Sequence, residues 1–169
     1  MSKRLVIFQG TFDPFTNGHL AVVKTALDWF GKVRILLLVN PDKKPLFSLE
    51  ERKEMIAAAT AHLPDVSVDS FEGLLVDYMR AHHVNICVRG VRNSTDAAYE
   101  MENHALSSRL YPALQTVLIS CPPPLRKISS SAIKEQCQQG FFPSDGVPPE
   151  VLPFLQKKFS NGLFGLIGL

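Results

Sequence analysis

Apolar positions follow two different periods along the chain. Short, nearly continuous apolar runs predict buried strands, whereas apolar residues at every third or fourth position predict amphipathic helices. The predicted strands are residues 3–9, 32–39, 66–70, 85–89 and 116–120, and the predicted helices are residues 19–30, 48–62, 74–82, 96–110, 129–139 and 149–159. Because a helix follows every strand, the pattern predicts an α/β fold: a doubly wound, five-stranded parallel sheet with helices on both faces.

Local signals at the ends of two elements support this prediction. Ser48 and Glu51 have the spacing of a capping box, in which each side chain accepts a hydrogen bond from the other residue's amide. Pro64 ends the same helix because a proline ring cannot continue it. Residues 10–18 contain Gly, Asp-Pro and Asn-Gly, which are typical of a loop.

Length and composition indicate one globular domain. The chain has 169 residues, of which 46% are hydrophobic and 20% are charged, and domains usually contain about 100–200 residues. We therefore expect residues 1–169 to form a single domain, with a C-terminal helix and an apolar tail in residues 140–169. The formal net charge of +2 argues against a broad nucleic-acid-binding surface, so any anion site must be local.

The cysteines and the hydropathy of the chain indicate where in the cell the protein is expected. Cys87, Cys121 and Cys137 are odd in number and form no CxxC pair, which favours neither a disulfide framework nor a zinc site. We find no apolar run of the roughly 18 residues that a membrane span requires. The simplest expectation is a cytoplasmic protein that binds neither nucleic acid nor membrane.

Cationic side chains concentrate at the carboxyl ends of the predicted strands and in the loops that follow them. These are Lys43, Lys44, Arg89, Arg92, Arg126 and Lys127. Ligands of parallel α/β folds bind beyond the carboxyl ends of the strands, where the strand order reverses, so the cations predict a site for a polyanion. The alternative is that they are ordinary solvated loop residues, but the loops at the opposite edge are less basic.

Two helix starts carry further candidate donors. Ser129, Ser130 and Ser131 open a predicted helix, and helix N-termini bind phosphate through their unpaired amides. Plain N-capping is the alternative for these serines, and the neighbouring cations favour phosphate binding. His19 begins the first helix directly after a glycine-containing loop; its alternative is an ordinary surface histidine.

Taken together, the motifs resemble those of a known family. Thr16-Asn17-Gly18-His19 matches the (T/H)xGH signature of the nucleotidyltransferase superfamily, and Ile128-Ser129-Ser130-Ser131 matches its ISSS signature. The segments between them that also match are Lys43-Lys44-Pro45, Ser48–Arg52, Arg89-Gly90-Val91-Arg92 and Tyr99-Glu100-Met101-Glu102. In this order the motifs closely resemble the bacterial phosphopantetheine adenylyltransferases, over residues 3–135. The resemblance implies a Rossmann-like nucleotidyltransferase fold.

The resemblance also implies a reaction. ATP and 4′-phosphopantetheine would give dephospho-coenzyme A and pyrophosphate, with Mg²⁺ bound by the ATP phosphates and no metal ligand from protein side chains. The attacking phosphate oxygen is already anionic near neutral pH, so no protein base is required. Catalysis would then rest on positioning and charge stabilisation. The resemblance further implies a homohexamer.

The site residues carried over by position form three sets. The catalytic residues implied are His19, Lys43 and Arg92. The phosphopantetheine-binding residues implied are Thr11, Lys43, Leu75 and Arg89. The ATP-binding residues implied are Thr11, Phe12, His19, Gly90, Val91, Arg92, Glu100, Leu125, Arg126, Lys127, Ile128, Ser129, Ser130 and Ser131. Three positions depart from the family's usual pattern: Gln9, Gly73 and the stretch 125–127.

Two other functions compete with this one. An adenylyltransferase for another phosphate acceptor, such as nicotinamide mononucleotide, more often has HxGH, whereas Thr16 occupies the first motif position here. A nucleotide-binding regulatory module without turnover is disfavoured by the intact His19, Lys43 and Arg92. A turnover assay with each acceptor distinguishes all three.

Overall fold

A parallel sheet forms the centre of the molecule. The computed structural model describes residues 3–163, and its strands are β1 (Arg4–Gly10), β2 (Gly31–Val39), β3 (Val66–Glu72), β4 (Ile86–Val91) and β5 (Gln115–Ser120). The sheet order is β3-β2-β1-β4-β5, and each neighbouring pair is parallel. The strand order reverses between β1 and β4. This confirms the predicted α/β class. In such folds the ligand crevice lies where the strand order reverses, which here is at the carboxyl ends of β1 and β4.

Helices cover both faces of the sheet. They are α1 (Asn17–Phe30), α2 (Leu49–Thr60), α3 (Leu75–Ala81), α4 (Ser94–Leu110), α5 (Ser130–Gln138) and α6 (Leu152–Leu163), with single 3₁₀ turns at Pro123–Leu125 and Pro149–Val151. Because successive strand residues point to opposite faces, Phe8 and Ile7 enter different cores. Phe8 packs in a cluster with residues of α1, α2, α5 and α6, whereas Ile7 packs with residues of α3.

Several predicted boundaries shift by a few residues. The prediction ended the fourth strand at Arg89, but Gly90 and Val91 continue the ladder because they pair with Ile119 and Ser120 of β5. The prediction began the next helix at Asp96, but α4 begins at Ser94 because the Asn93 side chain accepts from the Asp96 amide, at 2.8 Å. In the same way, Thr16 caps α1, which begins two residues earlier than predicted.

The C-terminal region contributes to the core more than its sequence indicates. The sequence predicts only a C-terminal helix and an apolar tail for residues 140–169, yet Val147, Val151 and Leu155 are fully buried in the same cluster as β1 and β2 residues. The backbone amide of Asn17 donates to the Gly146 carbonyl at 3.0 Å. This bond joins the C-terminal region to the start of α1. Of the expected apolar tail, residues 164–169 lie outside the described part of the chain. Within residues 3–163, no helix combines the length and apolar character needed to cross a bilayer.

Candidate active site

A cavity of about 470 Å³ opens where β1 and β4 diverge. Its walls come from the ends of β1 and β4, the start of α1, the loop after β2, helix α4 and the start of α5. The predicted site residues that line it are Thr11, Phe12, His19, Lys43, Arg89, Gly90, Arg92, Glu100, Ile128, Ser129 and Ser130. The structure therefore brings together donors from four separate connections, including His19 and Arg89.

The other predicted site residues lie outside this wall. They are Leu75, Val91, Leu125, Arg126, Lys127 and Ser131. Leu75 packs against the cluster of buried residues on the α3 face of the sheet. The Arg126 Nε atom donates to the Cys121 carbonyl at 3.2 Å, and the side chains of Lys127 and Ser131 are exposed.

The capping interaction of α1 fixes the tautomer of His19. His19 is the third residue of α1, and its Nδ1 atom accepts from the Thr16 backbone amide at 3.0 Å. A neutral imidazole whose Nδ1 accepts carries its proton on Nε2. Burial, with the nearby Arg92 charge, lowers the pKa of His19 to about 4. His19 is therefore a neutral Nε2–H donor at pH 7.

Aromatic rings explain the desolvation of His19. The Phe12 ring lies 5.0 Å from the imidazole at an interplanar angle of 90°, and the Phe15 ring lies 5.5 Å away. Phe12 has a φ of 50°, a left-handed conformation that L-residues rarely adopt. A Cβ atom on Gly10 would lie 2.8 Å from the Phe12 ring, so glycine is needed where this ring folds back.

A buried ionic network joins the loops that carry Thr11 and Lys43. The Asp13 carboxylate accepts from the amides of Leu46 and Phe47, both at 2.9 Å, and from Lys134 Nζ of α5 at 3.0 Å. Arg52 of α2 donates to the carbonyls of Thr11 at 2.8 Å and Phe47 at 3.1 Å. The network is thus a cross-link between the loop after β1, the loop after β2, and α5.

The position of Arg52 in the sequence is a signal for this network that the sequence analysis missed. Arg52 precedes Met55, Ile56 and Ala59 at helical spacing, so it falls on the buried stripe of α2, where a charge requires a partner. Burial lowers the pKa of Arg52, and the nearby Asp13 charge opposes that shift. Asp13 and Lys134 gave no local signal, because they are 121 residues apart.

The two arginines of the β4 end are each paired with a carboxylate of α4. Arg89 Nε donates to Glu100 at 2.7 Å, and Arg92 donates to both oxygens of Asp96 at 2.9 and 3.3 Å. The hydrogen bond from Arg92 lowers the pKa of Asp96, and the reciprocal bond raises that of Arg92. Arg89 also donates to Gln9, which was assigned no role from the sequence.

The start of α5 forms another wall of the cavity. The Ser129 hydroxyl accepts from the Ala132 amide at 3.1 Å, and the Ser130 hydroxyl donates to the Pro14 carbonyl at 2.8 Å. Capping therefore accounts for Ser129, the alternative considered above, and Ser130 tethers α5 to the loop after β1. The backbone amides of Ser130 and Ser131, which lack intrahelical partners, remain the phosphate donors that this helix start can offer.

A second cavity, of about 560 Å³, adjoins the first. Both cavities are lined by Gln9, Gly10, Thr11 and Lys43. The second extends along the ends of β2 and β3 and also has Leu38, Val39, Pro41, Pro45, Gly73 and Leu74 in its wall. The pair of cavities can accept two ligands that meet near Thr11 and Lys43.

Metal-binding groups of protein origin are not assembled within residues 3–163. No three or more His, Cys, Asp or Glu side chains in this range lie close enough to hold a metal ion. The acidic side chains in the wall of the first cavity, Asp96 and Glu100, are paired with Arg92 and Arg89. This donor set fits phosphate oxygens.

The fold and cavity define an α/β protein with a cationic crevice where the strand order reverses, and sequence comparisons identify its class. Residues 7–136 match the family model described as cytidylyltransferase-like. The chain is 41% identical over 160 residues to a phosphopantetheine adenylyltransferase of Haemophilus ducreyi, covering 92% of this chain and 97% of the relative. It is 38% identical over 161 residues to one of Heliobacterium modesticaldum, covering 95% and 96%. The chain therefore belongs to the cytidylyltransferase-like family and, within it, to the phosphopantetheine adenylyltransferases.

Solved structures share the fold at lower sequence identity. A bifunctional NMN adenylyltransferase/ADP ribose pyrophosphatase from Francisella tularensis has a TM-score of 0.73 and 18% identity over 97% of this chain. The same protein complexed with AMP and Mn ion has a TM-score of 0.70, also at 18% identity, over 95% of this chain. This chain spans 52% of those longer chains. At this identity the likeness concerns the fold alone.

Proposed function

We propose that this chain transfers the adenylyl group of ATP to 4′-phosphopantetheine, producing dephospho-coenzyme A and pyrophosphate. The observation that carries the proposal is the convergence of His19, Lys43, Arg89 and Arg92 on one cavity, beside the start of α5. Two anionic reactants need such donors to overcome their mutual repulsion. Membership of the phosphopantetheine adenylyltransferase family supports this acceptor over nicotinamide mononucleotide.

ATP would occupy the first cavity. In this proposal the neutral Nε2–H of His19 donates to an α-phosphate oxygen as negative charge develops there. Lys43, in the wall common to both cavities, neutralises charge on both reacting phosphates, and Arg92 binds the ATP phosphates. The remaining residues proposed for ATP are Thr11, Phe12, Gly90, Val91, Glu100 and residues 125–131.

Phosphopantetheine would extend from the first cavity into the second. Arg89 holds its terminal phosphate, and Thr11 lies between the two reactants. The apolar residues Leu38 and Val39 at the end of β2, with Leu74 and the neighbouring Leu75, suit the pantetheine arm. The phosphate oxygen attacks the α-phosphorus as the bond to the pyrophosphate oxygen breaks, so pyrophosphate carries away the displaced electron pair. No proton has to be removed from the nucleophile.

Mg²⁺ would enter bound to the ATP phosphates, where it supplies charge neutralisation for the leaving pyrophosphate. The donor set supports this, because the carboxylates beside the cavity are already paired with cations. Lys43 and Arg92 would contact the same polyphosphate.

Self-association into a homohexamer is also part of the proposal. Helix α4 exposes four large apolar side chains, Tyr99, Met101, Leu106 and Leu110, each 57–64% exposed. By their spacing, Tyr99, Leu106 and Leu110 share one face of the helix, and an exposed apolar face of this kind favours an interface between chains. We further propose a cytoplasmic location and small-molecule partners only, without nucleic acid or membrane binding.

Pyrophosphate release tests the proposed reaction. We expect release from ATP and Mg²⁺ only when 4′-phosphopantetheine is added, with dephospho-coenzyme A identified by mass. Release that requires nicotinamide mononucleotide instead would establish the alternative acceptor. Tight ATP binding without release for either acceptor would establish the regulatory module. Sedimentation of the same sample tests the hexamer separately.

A further inference from the structure

Gln9 lies where the sheet opens into the crevice. In the β1–β4 pair, Ile7 is opposite Cys87 and Phe8 is opposite Val88, and pairing ends there. Gln9 and Arg89 are the next residues on the two strands, so their side chains emerge together at the mouth of the crevice. Gln9 also belongs to the short stretch of wall that both cavities have in common.

Gln9 supplies two of the three acceptors that hold the Arg89 guanidinium. Arg89 Nη1 donates to the Gln9 main-chain carbonyl at 3.1 Å and to the Gln9 side-chain oxygen Oε1. Arg89 Nε donates to Glu100. Among the described residues 3–163, no group accepts from Nη2, the remaining nitrogen. The plane of the guanidinium is thereby fixed by two neighbours, and one edge remains for a ligand.

The neutrality of Gln9 matters for that ligand. A guanidinium that already faces Glu100 would lose much of its attraction for an anion if a second carboxylate joined the pair. The amide oxygen of Gln9 accepts a hydrogen bond without adding charge, so it orients Arg89 and leaves the net charge of the Arg89–Glu100–Gln9 group at zero rather than −1.

We infer that Gln9 is a positioning residue that acts through Arg89 and sets the affinity of the site for the terminal phosphate of the acceptor. Gln9 fixes the orientation of the guanidinium in the free enzyme, so the entropy of ordering that long side chain is not lost when phosphate binds. This inference rests on the proposed function, in which Arg89 receives the acceptor phosphate.

Two substitutions separate orientation from charge. Gln9→Met keeps the length of the side chain and removes the acceptor, and we expect it to raise KM for phosphopantetheine about 3–10-fold. Gln9→Glu keeps the shape and adds a negative charge, and we expect a rise of about 10-fold or more, largest at low ionic strength. In both variants kcat and KM for ATP stay within about twofold of wild type. Gln156→Met, at an exposed position of α6, is the matched control.

The Arg89→Met background tests whether Gln9 acts through Arg89. There, Gln9→Met should change KM for phosphopantetheine by less than about twofold, because the hydrogen-bonded partner is gone. Equal effects of Gln9→Met with and without Arg89, unchanged KM for phosphopantetheine in both single variants, or a change confined to kcat or KM for ATP would each overturn the inference. Wild-type protein without phosphopantetheine-dependent turnover would instead overturn the proposed function. Thermal unfolding of each variant verifies that it is folded.

Discussion

The His19 side of the cavity and the arginine side both present donors to an anion, but they differ in charge. His19 is surrounded by aromatic rings and is neutral, with its pKa lowered to about 4. Arg89 and Arg92 remain charged, and each has a carboxylate partner on α4. A neutral donor in a desolvated wall gains most as charge develops on a bound reactant, whereas charged groups already attract the ground-state phosphates.

Removal of the imidazole should give the largest effect on turnover. His19→Asn keeps a polar side chain but removes the Nε2–H donor, and we expect kcat to fall roughly 10²–10³-fold with KM values changed much less. Steady-state pyrophosphate release measures this, with His62→Asn at an exposed position as control. An unaltered kcat would remove His19 from its proposed role.

The next effect concerns stability rather than turnover. Asp13→Asn removes a buried carboxylate that accepts from two amides and Lys134, and we expect a loss of about 2–3 kcal/mol in the free energy of unfolding. Denaturant unfolding at pH 7 measures the change. Asp28→Asn, at an exposed position of α1, should alter stability by less than about 0.5 kcal/mol. Equal stability of the two variants would contradict a role for Asp13 as a cross-link.

Arg89 should affect binding more than turnover. Arg89→Met removes the proposed donor to the acceptor phosphate, and we expect KM for phosphopantetheine to rise about 10–30-fold, with a smaller change in KM for ATP. Arg109→Met, at an exposed position of α4, is the matched control. A selective rise in KM for ATP would show that Arg89 binds ATP rather than the acceptor phosphate.

The smallest effect is a pH dependence of stability. Since the pKa of His19 is about 4 in the folded protein and 6.5 for an unperturbed histidine, the unfolded chain binds the extra proton as pH falls below 6.5. The neutral imidazole therefore makes its full contribution to the free energy of unfolding above about pH 7, and this contribution decreases toward pH 4. Between pH 6.5 and 5.5 we expect wild type to lose about 1 kcal/mol more than His19→Asn does. Parallel stability curves for the two proteins would show that His19 is not desolvated.

Motif residues in the loops beside strands and helices could be predicted because the sequence patterns that mark them span only a few residues. The Ser48–Glu51 capping box forms as predicted, with the Glu51 amide 3.1 Å from Ser48 Oγ and the Ser48 amide 2.7 Å from Glu51 Oε2. His19 and Arg89 were expected at one edge of the sheet because Arg89 lies at the carboxyl end of a strand and His19 follows the loop after another strand, and both line the same cavity. For Leu75 and residues 125–127, by contrast, a motif position did not predict whether the side chain lines the cavity.

Periodicity and contacts a few residues apart were enough to predict the succession of strands and helices along the chain, the α/β class and the loops that carry the motif residues. The tertiary structure was needed to show that burial keeps His19 neutral, that Asp13 pairs with Lys134, and that Gln9 holds Arg89. These depend on partners 80–121 residues apart, or on the exclusion of water by a packed wall. No local pattern encodes either, because the chain must fold before those groups meet.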